Sequence, residues 1–149
     1  MQDFSLPATS GKTFHWHEAR GKKLVIYFYP KDDTPGCTTE GMDFRDLYSE
    51  FQRLNTEIVG VSRDDLPSHE KFCTKLSLPF ALLSDGDETV CRLFDVLKPK
   101  NMYGKMVVGI ERSTFLFDEQ GNLMQEWRGV RSTGHANTVL DTLKSLTER

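Results

Sequence analysis

Residues 22–44 read KKLVIYFYPKDDTPGCTTEGMDF, and this stretch decides the fold. Lys22–Pro30 is an apolar run rich in β-branched and aromatic side chains, closed by a proline, which predicts a buried central strand. Beyond it, Phe44, Leu47, Tyr48, Phe51 and Leu54 recur at three- and four-residue steps, predicting a helix over 37–54 with one apolar stripe. A strand handed to a helix through a short turn opens an α/β architecture.

The rest of the chain continues the pattern. TEIVGVS (56–62) and FALLSD (80–85) read as further buried strands, with a helix between them over 66–78 that carries Pro67 near its first turn. A short helix follows across DETVCRLFDV (87–96). Residues 97–109, with Pro99, Asn101 and two glycines, are expected to be irregular. STFLF (113–117) and LMQEW (123–127) flank DEQGN, a hairpin signature, and residues 134–146 form a helix with Val139, Leu140, Leu143 and Leu146 on one side. The sum is an α/β sandwich on a mixed sheet, parallel early and antiparallel at the hairpin. No repeat, linker or low-complexity tract divides residues 1–149, so a single domain is expected.

Bulk properties exclude several classes. A net charge of −3 with scattered Lys and Arg gives no reason to expect nucleic acid or an acidic membrane as partner. No apolar run approaches the ~20 residues that span a bilayer. The start lacks a basic segment followed by a long apolar one, which favours a cytoplasmic protein. The 3 cysteines, Cys37, Cys73 and Cys91, cannot all pair within one chain. No Cys-x-x-Cys occurs, which counts against structural zinc and a thioredoxin-type motif.

Cys37 sits where a thiol is most easily ionised. Thr34 reads as an N-cap, Pro35 as the first helical residue and Cys37 as the third. Free first-turn amides and the positive end of the helix dipole favour sulfur as the anion. The Thr34 hydroxyl can reach the Cys37 amide, its sulfur or a ligand. Cys37 also continues the inward stripe, which would put the sulfur at the floor of a narrow pocket. On these residues alone, a reactive thiolate and an inert core thiol both remain open. Cys73 lies on one helical side with Leu66, His69, Phe72 and Leu76, and Cys91 flanks Val90, Leu93 and Phe94; both have core readings too.

Other candidates are weaker. His15 and His17 in FHWH would share a strand face, and His69 and Cys73 are a helical i, i+4 pair, but neither pair has a third ligand at a recognisable spacing. No metal, flavin or haem is expected. His135 reads as structural, Asp32 and Asp33 as a solvated acidic corner, and NMYGKM as a mobile loop that lines the pocket or meets a partner.

The spacing of Pro30, Thr34 and Cys37 resembles the Pro-x-x-x-Thr-x-x-Cys motif of the peroxiredoxins. YFYPKDDTPGCTTE, HEKFCTKLSLPFALLSD, GIERSTFLFDEQGNL and GHANTVLDTL are similar to the bacterioferritin comigratory protein, or peroxiredoxin Q, subgroup, across nearly the whole chain. The resemblance implies a thioredoxin-like fold, a mixed sheet flanked by helices in a three-layer sandwich. It implies a thiol peroxidase reducing hydrogen peroxide and organic hydroperoxides without a cofactor. Cys37 would be the peroxidatic cysteine, Thr34 a partner of peroxide and sulfur, Pro30 a shield of the pocket, and Arg112 the active-site arginine. A guanidinium beside the sulfur would favour the thiolate and bind a peroxide oxygen, with the Gly36 and Cys37 amides as further donors.

The sulfenic acid formed on Cys37 must be resolved by a second thiol. Some relatives carry that cysteine five residues on, where this chain has Met42; others carry it on the next helix, where Cys73 stands. The resemblance therefore implies an intrachain Cys37–Cys73 disulfide. A disulfide needs Cα atoms within ~7 Å and Cys37 faces inward on a capped helix, so the helix start is expected to unwind on oxidation, eased by Gly36 and Gly41. It implies reduction by thioredoxin, or glutaredoxin, and a monomer. A general disulfide oxidoreductase and a redox sensor or thiol chaperone are the rival readings.

Overall fold

The computed structural model describes residues 2–147. β1 (Ser5–Pro7) and β2 (Thr13–His15) form a small antiparallel hairpin, followed by a 3-10 turn at Trp16–Ala19. Then come β3 (Lys23–Phe28), α1 (Pro35–Arg53), β4 (Thr56–Ser62), α2 (Leu66–Leu76) and β5 (Ala81–Ser84). The chain continues through α3 (Thr89–Leu93), β6 (Leu97–Met102), β7 (Lys105–Ile110), β8 (Ser113–Phe117), β9 (Leu123–Trp127) and α4 (His135–Thr147).

The central 5-stranded sheet has the order β5-β4-β3-β8-β9. β3 pairs parallel with β4 and β4 with β5, while β8 runs antiparallel to both β3 and β9. This is the mixed sheet that the sequence pattern predicts, in the thioredoxin-like form that the resemblance implies. β3 is buried along its whole length, and its alternating side chains feed two cores. Val25, Tyr27 and Tyr29 pack with α1, α2 and α4 on one face. Leu24, Ile26 and Phe28 pack with the N-terminal hairpin, Trp16, α3 and Ile110 on the other.

The stripe predicted for α1 is the one it buries. Phe44 and Phe51 are fully buried, and each contributes roughly 2 kcal/mol by leaving water. The Phe44 ring stacks on Tyr27 at 4.7 Å, and a Cβ on Gly60 would come within 2.8 Å of the same Tyr27 ring. The sheet therefore needs glycine beside Tyr27, its register partner on β4.

Residues 97–109 differ from expectation. They form the β6–β7 hairpin and not an irregular loop, turning at Tyr103 and Gly104, both with positive φ (54° and 81°). Two left-handed residues match the strand twist, and Pro99 is tolerated because a two-stranded ribbon has free edges. Met102, Tyr103 and Met106 are exposed on it. His17 also departs from expectation: β2 ends at His15, so the two histidines do not share a strand. Instead His15 bonds the Ser5 hydroxyl and His17 faces Asp3. Among the described residues no helix is long and apolar enough to cross a membrane.

Candidate active site

Topology brings the candidate residues to one end of the sheet. β3 and β4 are parallel, so the loop after β3 and the loop leading to α2 leave from the same edge. β8 is antiparallel to β3, with Ser113 opposite Phe28, so the residue before β8 arrives there too. That residue is Arg112. Functional groups gather at the carboxyl ends of parallel strands for this reason.

Thr34 caps α1 in an extended conformation (φ −103°, ψ 155°) and Pro35 opens the helix, as predicted. The Thr34 side chain does not reach the Cys37 amide. Its hydroxyl donates to the Lys31 carbonyl at 2.8 Å, drawn back by the turn through Asp33 at φ 58°. The first-turn amides thus have no side-chain cap, which leaves their donors available at the helix start. Cys37 faces inward, only 2% exposed, on the buried stripe of α1.

Arg112 supplies the charge. Its Nη2 lies 3.4 Å from the Cys37 sulfur, and its Nη1 donates to Glu40 Oε1 at 2.7 Å. Burial alone would weaken the arginine's charge, but Glu40 and the Cys37 sulfur more than offset this. The guanidinium passes so close over Gly36 that a Cβ there would stand 3.0 Å from Nη2. Gly36 is therefore required by close approach and not by backbone conformation. Glu40 is fully buried, and burial pushes its carboxyl up to about 7 despite the pull of Arg112. Behind the arginine, His135 joins the site from the start of α4. Its Nε2 meets the Thr114 hydroxyl at 2.7 Å, and burial, with Arg112 nearby, lowers its pKa to about 4. His135 is accordingly neutral. Pro30 is half-buried two residues past the end of β3.

The three cysteines differ in surroundings. Cys73, half-buried on α2, packs against the same core as Cys37, and its sulfur lies 3.9 Å from the Thr9 hydroxyl. It borders a cleft of ≈ 320 Å³ lined by Thr9, Lys12, Glu70, Leu78 and Phe80. Burial, with the negative charges of Glu70 and Asp32, holds this thiol in its neutral form. Cys91 lies in the core on the opposite face of the sheet. It is fully buried, its amide donates to Asp85 at 2.6 Å, and burial plus that carboxylate push its thiol far up. All three are free thiols.

Sequence reasoning missed two groups. Glu40 sits in the helix signature but gave no periodic clue. Asp32 is not a solvated corner: it is buried against His69, while Asp33 alone is exposed and pairs with Lys75 at 2.6 Å. Asp32, Asp64 and His69 present donor atoms within 4.8 Å of one another. These atoms are already engaged with each other and with Tyr29, Ser62, Ser68 and Leu83, so the cluster fits an internal network and not a cation.

Residues 1–126 match the AhpC/TSA family. The chain is 54% identical over 143 residues to Peroxiredoxin Bcp of Xanthomonas campestris, spanning 96% of this chain and 89% of the relative. It is 47% identical to Peroxiredoxin Bcp of Bacillus subtilis over 99% of this chain and 94% of that one. A solved X. campestris bacterioferritin comigratory protein, described for its alkyl peroxide reduction with trapped intermediate and ligand complexes, superposes with a TM-score of 0.92. It shares 51% identity over 97% of this chain and 92% of its own.

Proposed function

For a chain that belongs to the AhpC/TSA family of peroxiredoxins and is a thiol peroxidase, we propose that Cys37 is the nucleophile and Cys73 the thiol that resolves it. Cys37 attacks one oxygen of the peroxide as a thiolate. The O–O bond breaks, sulfur keeps one oxygen as a sulfenic acid, and the other leaves as water or alcohol after taking a proton. Arg112 stands beside the sulfur and the Gly36 and Cys37 amides line the helix start, so donors face the oxygen on which charge develops. Thr34 already donates to Lys31, which leaves its oxygen as an acceptor for the peroxide O–H. Pro30 shields the pocket from bulk water.

The observation that carries this reading is the fixed guanidinium, 3.4 Å from Cys37 and anchored 2.7 Å away on Glu40. Cys73 is favoured over Cys91 because it shares the core with Cys37, while Cys91 lies across the sheet beside Asp85. The substrates are hydrogen peroxide and organic hydroperoxides; the X. campestris relative is described as reducing alkyl peroxides. Thioredoxin, or glutaredoxin, reopens the Cys37–Cys73 disulfide by way of the cleft at Cys73, and the protein acts as a cytoplasmic monomer.

Coupled turnover with thioredoxin and its reductase tests the roles. Cys37→Ser should abolish peroxide consumption. Cys73→Ser should still form a sulfenic acid but lose thioredoxin-coupled turnover, and Cys91→Ser should retain it. Turnover by Cys37→Ser, or exchanged phenotypes for Cys73 and Cys91, would overturn the assignment.

A further inference from the structure

His69 is fully buried at the start of α2 with both ring nitrogens committed. Nδ1 lies 2.7 Å from Asp32 Oδ2, and Nε2 lies 2.9 Å from the Leu83 carbonyl. A carbonyl oxygen can only accept, so Nε2 carries a proton. The Asp32 carboxylate already accepts from the Tyr29 hydroxyl at 2.6 Å and the Ser68 hydroxyl at 2.8 Å, so Nδ1 donates as well. The ring is an imidazolium paired with a carboxylate inside the protein. Buried charge pairs do not add much net stability, but losing one partner is costly. Such a pair thus fixes an arrangement more than it strengthens a fold.

The arrangement it fixes joins the two redox segments. Asp32 belongs to the loop between β3 and Thr34, whose cap leads into Cys37. His69 stands one helical turn before Cys73 on the same side of α2. The Asp32 amide is tied in addition to Asp64 Oδ2 at 2.9 Å, the other carboxylate facing His69. With these bonds closed, Cys37 faces Arg112, while Cys73 faces Thr9 with its thiol under the field of Asp32. The fully buried Tyr27 shares the core with both cysteines and lies within electrostatic reach of their sulfurs. The bonds from Asp32 to Ser68 and His69 tie the loop to α2, with the exposed Asp33–Lys75 pair as a third tie, so a movement of one segment against the other strains them.

We propose that the Asp32–His69 ion pair is a latch, holding the Cys37 loop on α2 for peroxide attack and releasing before the Cys37–Cys73 disulfide can form. It makes these two positioning residues for the peroxidase reaction, and it rests on the reading of Cys73 as the resolving thiol. In the step the latch controls, the Cys73 thiol gives up its proton and its sulfur attacks the sulfenic sulfur of Cys37. The S–S bond forms, the S–O bond breaks, and the hydroxide leaves with that proton as water. While the latch is closed, the sulfenic acid stays beside Arg112, exposed to a second peroxide.

Stopped-flow fluorescence of the reduced protein separates peroxide attack from disulfide closure. Asp32→Asn and His69→Gln should each raise the ratio of closure rate to attack rate on the order of tenfold, the loss of one charge-assisted bond. Sulfinic acid yield at excess peroxide should fall in parallel, and Asp32→Glu should partly restore the wild-type ratio. An unchanged or lowered ratio overturns the latch. Nitrogen-15 NMR of His69 in the unsubstituted protein gives a second test that needs no variant. The reduced form should show both ring nitrogens protonated at neutral pH and the disulfide form a single proton; the same signature in both forms overturns the latch. A Cys73→Ser protein separates the two claims. If it still closes an intrachain disulfide, the resolving role fails; if it does not, and Asp32→Asn leaves the ratio unmoved, the latch alone fails.

Discussion

Arg112 holds Glu40 by one end of its guanidinium, at 2.7 Å, and turns the other end to the Cys37 sulfur at 3.4 Å. A forked donor can serve two acceptors in one plane, which an ammonium group cannot. Arg112→Lys should therefore slow peroxide attack about a hundredfold, the usual loss for one oriented donor at a developing anion. Single-turnover rates with hydrogen peroxide check this, and a loss under threefold would contradict it.

Glu40 is the costly half of that pair. Its folded carboxyl titrates at about 7 against 4.5 for the ordinary group, so the folded chain binds the extra proton between those values. Stability attributable to Glu40 thus falls as pH rises through that window. Glu40→Gln should melt higher than the wild type above pH 7 and at nearly the same temperature near pH 4. Its attack rate should be lower, because an amide oxygen holds Arg112 less firmly than a carboxylate. Melting curves across pH, paired with stopped-flow rates, decide both halves.

Gly36 tests the close approach directly. A methyl group there meets the far end of the Arg112 side chain at 3.0 Å and not backbone, so it is the guanidinium that must shift, off its places beside Glu40 and the sulfur. Gly36→Ala should leave the melting temperature within a few degrees, consistent with a change well under ~1 kcal/mol at a helix position. It should slow peroxide attack by displacing Nη2 from the sulfur. A rate equal to that of the wild type would show that the arginine's position is not needed.

His135 carries an opposite pH signature. Its folded pKa of about 4 lies below the ordinary 6.5, so the unfolded chain takes up the proton first as pH falls. Stability should decline from about pH 6.5 to about 4 by on the order of 3 kcal/mol, with no further loss from this group below that. His135→Gln removes the ionisation while keeping a group able to bond Thr114. Its stability should decline less steeply over that interval; an unaltered slope would assign the loss elsewhere.

Much of this was legible in the chain because the signals are local. The apolar run of β3, the stripe of α1 and the Thr-Pro-Gly turn each depend on neighbours a few residues apart, and each appears where expected. Arg112 was legible only through family resemblance, since nothing near it announces a partner 75 residues away. Asp32 was misread for the same reason. Its burial is made by Tyr29, Ser68 and His69, and only folding brings the latter two beside it. The β6–β7 hairpin was hidden because Pro99 and the glycines outweighed Val107 and Val108, and because strand pairing away from the main sheet leaves little apolar alternation.

One measurement bears on the central claim most directly. Reduced protein is treated with one equivalent of peroxide, alkylated without reduction, digested with trypsin and weighed. A peptide pair joined through Cys37 and Cys73, with Cys91 alkylated, is the predicted result. Cys37 recovered as an alkylated thiol, or joined to Cys91, would contradict it.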